Sequence, residues 1–398
     1  MNSIIAPDNA WPIWAFVLAG VAVCIHLEQT RKWAAQISGP VLALLIGMAL
    51  SNFKLMPVSS PSYDIIEDYL VRAAIPLLLF RANLVRILSE TGPMFLAVNI
   101  ASAGTVIGAF IAAFLFRGSF DRVPEVTGIM TASYVGGGVN FIAVKESYQV
   151  SETLASPLMV ADNFIMAGMF VALLVMASSK LFRRLYPHPH SLEGDKEDVA
   201  ALAARHWRRK EVSLLDIAQA LAIAFTVAAI SVKLTDALKA HVSSRIVQSI
   251  FANPFVLITI LSVGITTLFH RWTDKIHGAE DLGMYLLYLF FIVIGLKADF
   301  MAVVSKMPVL FTFCLVMAVT NLVFTLAAGK LLRLNLEELL LSVNATLGGP
   351  PSAAAMAISR GWSNLVLPGL LAGIWGYVIG TFVGILVAEI LLKLFSAG

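Results

Sequence analysis

The stretch GGGVN at residues 136–140 lies inside a long apolar segment, and the stretch GGPPS at residues 348–352 lies inside another. A glycine costs a helix interior roughly 1 kcal/mol and a proline about 3 kcal/mol, so neither stretch favours a regular helix. A broken helix leaves backbone groups without partners, which a membrane tolerates only where the chain is buried in protein or lines a polar cavity. The two stretches therefore predict two interrupted membrane segments, a pattern typical of transporter binding sites.

The chain as a whole is too apolar for a soluble protein. Of its 398 residues, 59% are hydrophobic and 13% are charged, whereas about 25% charged residues is usual in soluble domains. The net charge of +3 is small and gives no support to nucleic-acid binding. Cys24 and Cys314 are the two cysteines and lie far apart in apolar segments, which excludes a disulfide framework and a CxxC metal site. We therefore expect an integral membrane protein.

Apolar runs long enough to cross a bilayer, or nearly so, form two sets separated by a hydrophilic connection at 179–212. The connection is rich in arginine and lysine, which predicts that it faces the cytoplasm. We predict an all-α polytopic membrane protein with about 12 (11–13) transmembrane segments. The runs occupy residues 11–27, 36–52, 65–80, 92–116, 126–147, 153–178, 214–237, 253–270, 281–297, 308–332, 338–359 and 365–393.

The two sets of spans are similar in order and in detail. Glu125 recurs as Glu337, 212 residues later, and the same shift separates the two glycine-rich stretches. Upstream the shift is 216, where RANL at residues 81–84 corresponds to KADF at residues 297–300. Because the order is kept over about 100 residues, we infer an internal repeat. The repeat has an N-terminal copy at 1–178 and a C-terminal copy at 213–398.

These features resemble the superfamily of cation–proton antiporters and anion transporters, which includes bile-acid sodium symporters and sodium–glutamate symporters. The chain is most similar there to a poorly characterised bacterial and plastid family of membrane proteins. The resemblance implies two inverted repeats, each with panel helices and three core helices, the middle one broken where the two cross. It implies core parts at about 92–178 and 308–393 that move against a panel or dimerisation domain. It also implies a homodimer in the bacterial inner membrane.

The count of spans and the implied inversion disagree. Six crossings between the two broken segments give parallel repeats, whereas inverted repeats need an odd number. The amphipathic stretch at 240–253 could be a re-entrant segment that restores the odd number. Parallel and inverted arrangements both stay open at this point.

One acidic side chain lies deep inside a predicted core span. Asp162 and its neighbour Asn163 belong to the span at 153–178. A carboxylate at mid-membrane costs about 2.5–3.5 kcal/mol on insertion scales, so it is a functional hypothesis by default. We predict that Asp162 and Asn163 couple transport to an ion, with Asp162 binding sodium or carrying a proton. The alternative is a structural Asp162 that pairs with Lys145 or with a backbone amide.

Neutral oxygen atoms lie close to both breaks, together with half-helix N-termini that favour anions. Any one of these polar groups could instead join two helices, as we expect for the more distant Asn321. We predict a sodium ion near Asp162, Asn140 and Asn344. The predicted substrate-binding residues are Thr131, Ser133, Gly136, Gly137, Gly138, Asn140, Asn344, Thr346, Gly348, Gly349 and Ser352.

These observations predict an ion-coupled secondary transporter, driven by sodium or protons, that works by alternating access. Its substrate would be a small anionic or zwitterionic solute such as an amino acid, a short peptide or a carboxylate. The alternative is a cation–proton antiporter. The sequence has no Walker motif, HExxH motif or GxSxG elbow. We therefore expect no enzyme activity and no cofactor other than the coupling ion, with substrate and membrane lipid as partners.

Overall fold

The computed structural model of the chain describes residues 3–31, 39–192, 211–242, 244–298 and 300–396. Its regular structure there is helical. The helices in chain order are α1 Ala10–Thr30, α2 Gly39–Asn52, α3 Pro61–Ile65, a π turn Ile66–Leu70, α4 Val71–Leu78, α5 Leu84–Glu90, α6 Pro93–Leu115, α7 Val123–Gly136, α8 Gly138–Tyr148, α9 Glu152–Ser178, α10 Lys180–Leu185, α11 Leu214–His241, α12 Arg245–Phe251, α13 Pro254–Leu268, α14 His270–Thr273, α15 Ala279–Lys297, α16 Phe300–Leu331, α17 Leu336–Ser359 and α18 Val366–Ser396.

Both predicted breaks are present, and both occur at glycine. Helix α7 ends and α8 begins on either side of Gly137, which has φ 72° and ψ −178°. Within α17, Gly349 has φ 73° and ψ −171°. This backbone region is essentially restricted to glycine, because a side chain would collide with its own backbone there. Two residues that are 212 positions apart thus have the same special conformation.

The first broken segment folds back on itself instead of continuing across the bundle. The Arg122 guanidinium, just before α7, donates hydrogen bonds to the carbonyls of Tyr148 at 2.8 Å and Gln149 at 3.1 Å, at the end of α8. A continuous helix of the 14 and 11 residues of α7 and α8 would hold these ends about 37 Å apart at a rise of roughly 1.5 Å per residue. Residues 123–148 therefore form a helical hairpin, hairpin 1, with its tip at Gly137.

The second broken segment, α17, is a hairpin as well. The Asn344 amide donates to the Ser352 carbonyl at 2.8 Å and accepts from the Ser352 hydroxyl at 2.9 Å. These residues would lie about 12 Å apart along a straight helix. The N–H of Leu336, the first residue of α17, donates to Pro187 O at 2.8 Å. Arg360, just after the end of α17, donates to Leu174 O at 2.9 Å. Both ends of this hairpin 2 therefore lie near the C-terminal end of α9.

The two hairpins enter the bundle from opposite faces and meet at their tips. We call the end that holds Arg122 and Gln149 the N-terminal face, and the end that holds Pro187 the connection face. Helix α9 runs from the first to the second, because it begins just after hairpin 1 and ends just before Pro187. A Cβ atom built on Gly137 would lie 3.7 Å from both Cα and N of Gly349. The prediction that the two breaks approach each other is confirmed.

The predicted count of twelve spans is not confirmed. In the described part of the chain, seven helices are long and apolar enough to cross a membrane, beginning at residues 10, 93, 152, 214, 279, 305 and 363. The predicted spans at 36–52 and 253–270 are shorter apolar helices, and the one at 65–80 is divided by a π turn. The predicted crossings at 126–147 and 338–359 are the two hairpins. The prediction of broken helices that cross the bundle is thereby corrected, because each segment ends where it began.

Small residues allow hairpin 1 to pack closely against α18. A Cβ atom built on Gly128 would lie 2.7 Å from Gly384 O, and one built on Gly384 would lie 2.6 Å from Gly128 O. Gly136 is packed in the same way against Gly376, eight residues earlier in α18. Small residues at four-residue spacing bring membrane helices together at backbone distance. The two helices run antiparallel, which fixes the depth of the hairpin tip.

Candidate functional site

Asp162 lies ten residues into the 27-residue helix α9, next to hairpin 1. Its side chain is buried, with 7% of the residue exposed. The Ser133 hydroxyl donates to Asp162 Oδ2 at 2.8 Å, and Ser133 precedes the tip glycine Gly137 by four residues. Ser133 and Asp162 therefore lie together near the tip of hairpin 1. Lys145 does not pair with Asp162, since it bonds to Glu146 at 2.7 Å and to Glu152.

Two oxygen atoms at this site have unused hydrogen-bonding capacity. Asp162 Oδ1 and the Tyr134 hydroxyl are buried, and neither makes a hydrogen bond of ordinary geometry to any described residue. The Tyr134 hydroxyl lies close enough to the Asp162 carboxylate and to Cys314 of α16 to interact with both electrostatically. Buried polar atoms without partners are rare and need an explanation. The arrangement can accept a proton or a cation at Asp162.

A chain of polar side chains joins the two hairpins across α6 and α16. The Thr105 hydroxyl donates to Tyr134 O at 2.8 Å and accepts from the Asn321 amide at 2.7 Å. The same amide lies 3.3 Å from the Thr346 hydroxyl of hairpin 2. Asn321 was expected to join helices away from the site, and it does join helices. It also contacts Thr346, so it cannot serve as a residue remote from the site.

Several predicted binding residues use their hydrogen bonds within the fold. The Asn140 amide oxygen accepts from the Thr381 hydroxyl at 2.6 Å and from Thr381 N at 3.0 Å. Its amide nitrogen donates to Gly136 O at 2.8 Å. Asn344 and Ser352 bond to each other, as described for hairpin 2. The role of Asn140, Asn344 and Ser352 in binding sodium or substrate stays a prediction. The observed bonds give the amides of Asn140 and Asn344 a role in holding the hairpins.

Two further predicted residues bond to their own helices. The Thr131 hydroxyl donates to Thr127 O at 2.7 Å, one turn earlier in α7. The Asn163 amide donates to Met159 O at 2.8 Å, and the residue is partly exposed, unlike its buried neighbour Asp162. Asp162 and Asn163 therefore point to different surroundings, although they are adjacent in sequence.

The tips of the hairpins are open on one side. Gly138 and Pro351, each adjacent to the turn of its hairpin, are exposed, whereas the other residues at 130–142 are buried. A Cβ atom built on Gly138 would meet no atom within 4 Å. On another side the tips contact Tyr377 of α18, whose hydroxyl would lie 3.2 Å from a Cβ built on Gly349. The backbone at the start of α8 is therefore not covered by protein on this side.

Sequence reasoning missed Tyr134, Cys314 and Tyr377. Tyr134 follows Ser133 directly in the broken segment, so its position was a usable signal. Cys314 and Tyr377 lie in long apolar helices where no spacing distinguishes them from packing residues. Among the described residues, no group of three or more His, Cys, Asp or Glu side chains has an arrangement that could hold a metal ion.

Comparison with known proteins shows the family of the chain. Residues 15–394 match the family described as "Protein of unknown function (DUF819)". The chain belongs to the DUF819 family. A relative in Bacillus subtilis (strain 168), the "Uncharacterized membrane protein YjcL", is 40% identical over 385 residues, which cover 96% of this chain and 97% of the relative. The prediction of a poorly characterised membrane family is confirmed for this DUF819 chain, which is an integral membrane protein.

Proposed function

We propose that the protein is an ion-coupled secondary transporter of a small organic solute that works by alternating access. The observation that carries the proposal is the meeting of two helical hairpins, which enter from opposite faces, beside the buried carboxylate of Asp162. Interrupted helices near mid-membrane are typical of transporter sites, because their freed backbone groups can bind ions and solutes. An ionisable side chain at that depth is a functional hypothesis by default.

We further propose that the two halves are inverted repeats. Replacing two predicted spans by hairpins leaves ten crossings, five in each half, and an odd number inverts the second half. Helices α6 and α16 are equivalent in the two halves, and their contacts support the inversion. Gly104 packs against Asn321 and Gly108 packs against Met317, so the two helices run antiparallel. Their bond between Thr105 and Asn321 joins positions that correspond at the 216-residue shift.

The proposed moving unit consists of the core parts at about 92–178 and 308–393, and the remaining helices form the panel. Two ion pairs lie where these units meet on the N-terminal face. Lys145 bonds to Glu152 within the core, and Lys297 bonds to Glu67 at 2.7 Å within the panel. Opening of this face would separate the two neighbouring pairs. A homodimer through the panel helices remains part of the proposal, by resemblance to the superfamily.

The proposed substrate is a small anion or zwitterion, such as an amino acid, a short peptide or a carboxylate. Helix α8 is 11 residues long and begins at the tip of hairpin 1. The N-terminus of a helix carries a partial positive charge and free N–H groups, which favour a carboxylate. The exposed Gly138 lies at that N-terminus, on the open side of the tips. Sodium or a proton at Asp162 would supply the coupling.

A cation–proton antiporter is the second candidate, and the free oxygen of Asp162 favours it. Uptake by the purified protein in liposomes separates the two. A transporter of organic solutes should accumulate one member of a labelled panel of amino acids, short peptides and carboxylates under a sodium or proton gradient. An antiporter should exchange a metal cation for protons without any solute. Absence of both activities in correctly inserted protein would contradict the proposed function.

A further inference from the structure

The pair of oxygen atoms without partners near hairpin 1 indicates which ion the site takes. Asp162 Oδ1 and the Tyr134 hydroxyl are neighbours on α9 and α7, and both are buried without a hydrogen bond of ordinary geometry among the described residues. Tyr134 is 0% exposed and Asp162 7% exposed. With a proton on Asp162 Oδ1, that oxygen donates to the phenol oxygen of Tyr134. Without it, the phenol donates its own hydrogen to Oδ1, so the pair can form a hydrogen bond in either protonation state.

We propose that Asp162 and Tyr134 hold one exchangeable proton between them and that this proton is the coupling ion. This inference rests on the proposed function. In the loaded state, the proton is bonded to Asp162 Oδ1 and donated to the Tyr134 oxygen, while the phenol hydrogen points toward Cys314 Sγ. On release, the Oδ1–H bond breaks, the proton passes to water and the electron pair stays on the carboxylate. The phenol then turns its own hydrogen to Oδ1 and remains protonated.

The surroundings of Asp162 suit a proton better than sodium. Its neighbouring side-chain groups are the Ser133 hydroxyl, the Tyr134 phenol and the Cys314 thiol. A thiol is a soft ligand that suits other metals, whereas hard cations prefer several oxygens. The amide oxygen of Asn140, a predicted sodium ligand, already accepts two hydrogen bonds from Thr381.

The site occurs once in each chain, because the second repeat has no equivalent carboxylate. Position 373 corresponds to Asp162 at the 211-residue shift and is glycine. A Cβ atom built on Gly373 would lie 2.5 Å from Pro350 N at the tip of hairpin 2. That contact is too close for any side chain, so backbone fills the equivalent position. We therefore expect one proton to be bound at this site per chain and per transport cycle.

The other ionisable groups around this proton lie on α7, α8, α9 and α16. From α7, Tyr134 faces Asp162, and from α16, Cys314 does so. On α8 and α9, Lys145 bonds to both Glu146 and Glu152, and Glu152 precedes Asp162 by ten residues toward the N-terminal face. Tyr134 and Cys314 are therefore the two ionisable groups placed directly beside Asp162.

Infrared difference spectroscopy of the purified full-length protein tests the inference without transport. A buried protonated carboxyl gives a C=O band that carboxylates lack. We expect that band at neutral pH, its loss in Asp162→Asn, and a shift to higher frequency in Tyr134→Phe, where the hydrogen bond is lost. Tyr186→Phe is the matched control, since its hydroxyl bonds to Leu326 O at 2.9 Å away from the pair. A spectrum without the band, or a band unchanged by Asp162→Asn, would overturn the proposal.

Transport assays in liposomes then separate this inference from the proposed function. We expect a proton gradient to drive uptake at equal sodium on both sides, and Tyr134→Phe to lower the initial rate about tenfold while Tyr186→Phe leaves it unchanged. Uptake driven by a sodium gradient alone, at equal pH, would overturn the proton assignment and leave the transporter intact. If the spectrum shows a protonated Asp162 but no solute is taken up, the proposed function is contradicted and the proton site still stands.

Discussion

At the scale of single residues, Asp162 is held by contacts that leave half of its carboxylate unused. Ser133 satisfies Oδ2, whereas Oδ1 faces Tyr134 without a bond of ordinary geometry. The sequence predicted Asp162 because a charge in an apolar span is conspicuous. It could not predict Cys314, because a cysteine in an apolar helix looks the same whether it packs against lipid or beside a carboxylate. Contacts between distant segments decide such roles.

The bond from Ser133 to Asp162 gives a residue-scale prediction. Ser133→Ala removes the hydrogen bond that supports the Asp162 carboxylate when its proton is released. A bond to a charged group contributes about 1.5–3 kcal/mol, so coupled uptake should fall at least about tenfold. Thr127→Ala, six residues earlier on the same helix, removes a bond to its own helix only and should change uptake less than twofold. Initial uptake rates in liposomes at matched protein density measure both. Equal losses in the two variants would mean that Ser133 acts through helix stability alone.

At the scale of elements, the hairpins depend on two glycines with positive φ. The cost of glycine and proline in a helix predicted that these segments break, and they do. The direction taken after a break could not be predicted, because local propensity says where a helix stops and not where the chain goes next. That direction is determined by distant contacts, such as the bonds from Arg122 to Tyr148 and Gln149. Because of these distant contacts, the two segments are hairpins and not the crossing helices that the sequence predicted.

Gly137 and Gly138 provide a matched test of the tip. Gly137→Ala places a side chain at φ 72° and ψ −178°, which should destabilise the protein by about 1–3 kcal/mol. Gly138→Ala makes the same chemical change one residue later, inside helix α8 and with no atom within 4 Å of the new methyl group, so it should be neutral or slightly stabilising. Thermal unfolding in detergent compares the two. A similar loss in both would contradict the assigned backbone conformation at the tip.

At the scale of the whole molecule, the orientation of the second half depends on whether two segments cross the membrane. The sequence repeat, with shifts of 211 to 216 residues, matches equivalent positions but contains no information on direction. Twelve crossings would give parallel halves, whereas the proposed two hairpins with five crossings in each half would give inverted ones. The small-residue contacts of α7 with α18 and of α6 with α16 agree with this arrangement. Only three-dimensional contacts could decide between the two topologies.

The two hairpins predict a pattern of labelling from the two sides of the membrane. In a background with Cys24→Ala and Cys314→Ala, single cysteines replace exposed residues just outside the hairpins. Asp121→Cys and Gln149→Cys, at the two ends of hairpin 1, should react with a membrane-impermeant thiol reagent from the same face. Arg333→Cys and Ser359→Cys, at the two ends of hairpin 2, should both react from the opposite face.

The comparison within each pair makes this test independent of the absolute orientation of the protein. A crossing helix would place Asp121 and Gln149 on opposite faces, because 25 helical residues span about 37 Å, more than the roughly 30 Å hydrocarbon core. Right-side-out and inside-out vesicles from the same cells supply the two faces, and permeabilised vesicles show that every cysteine can react. Labelling of each pair from two different faces would restore twelve crossings and parallel halves. Labelling of both pairs from one common face would contradict the inversion and leave the hairpins themselves intact.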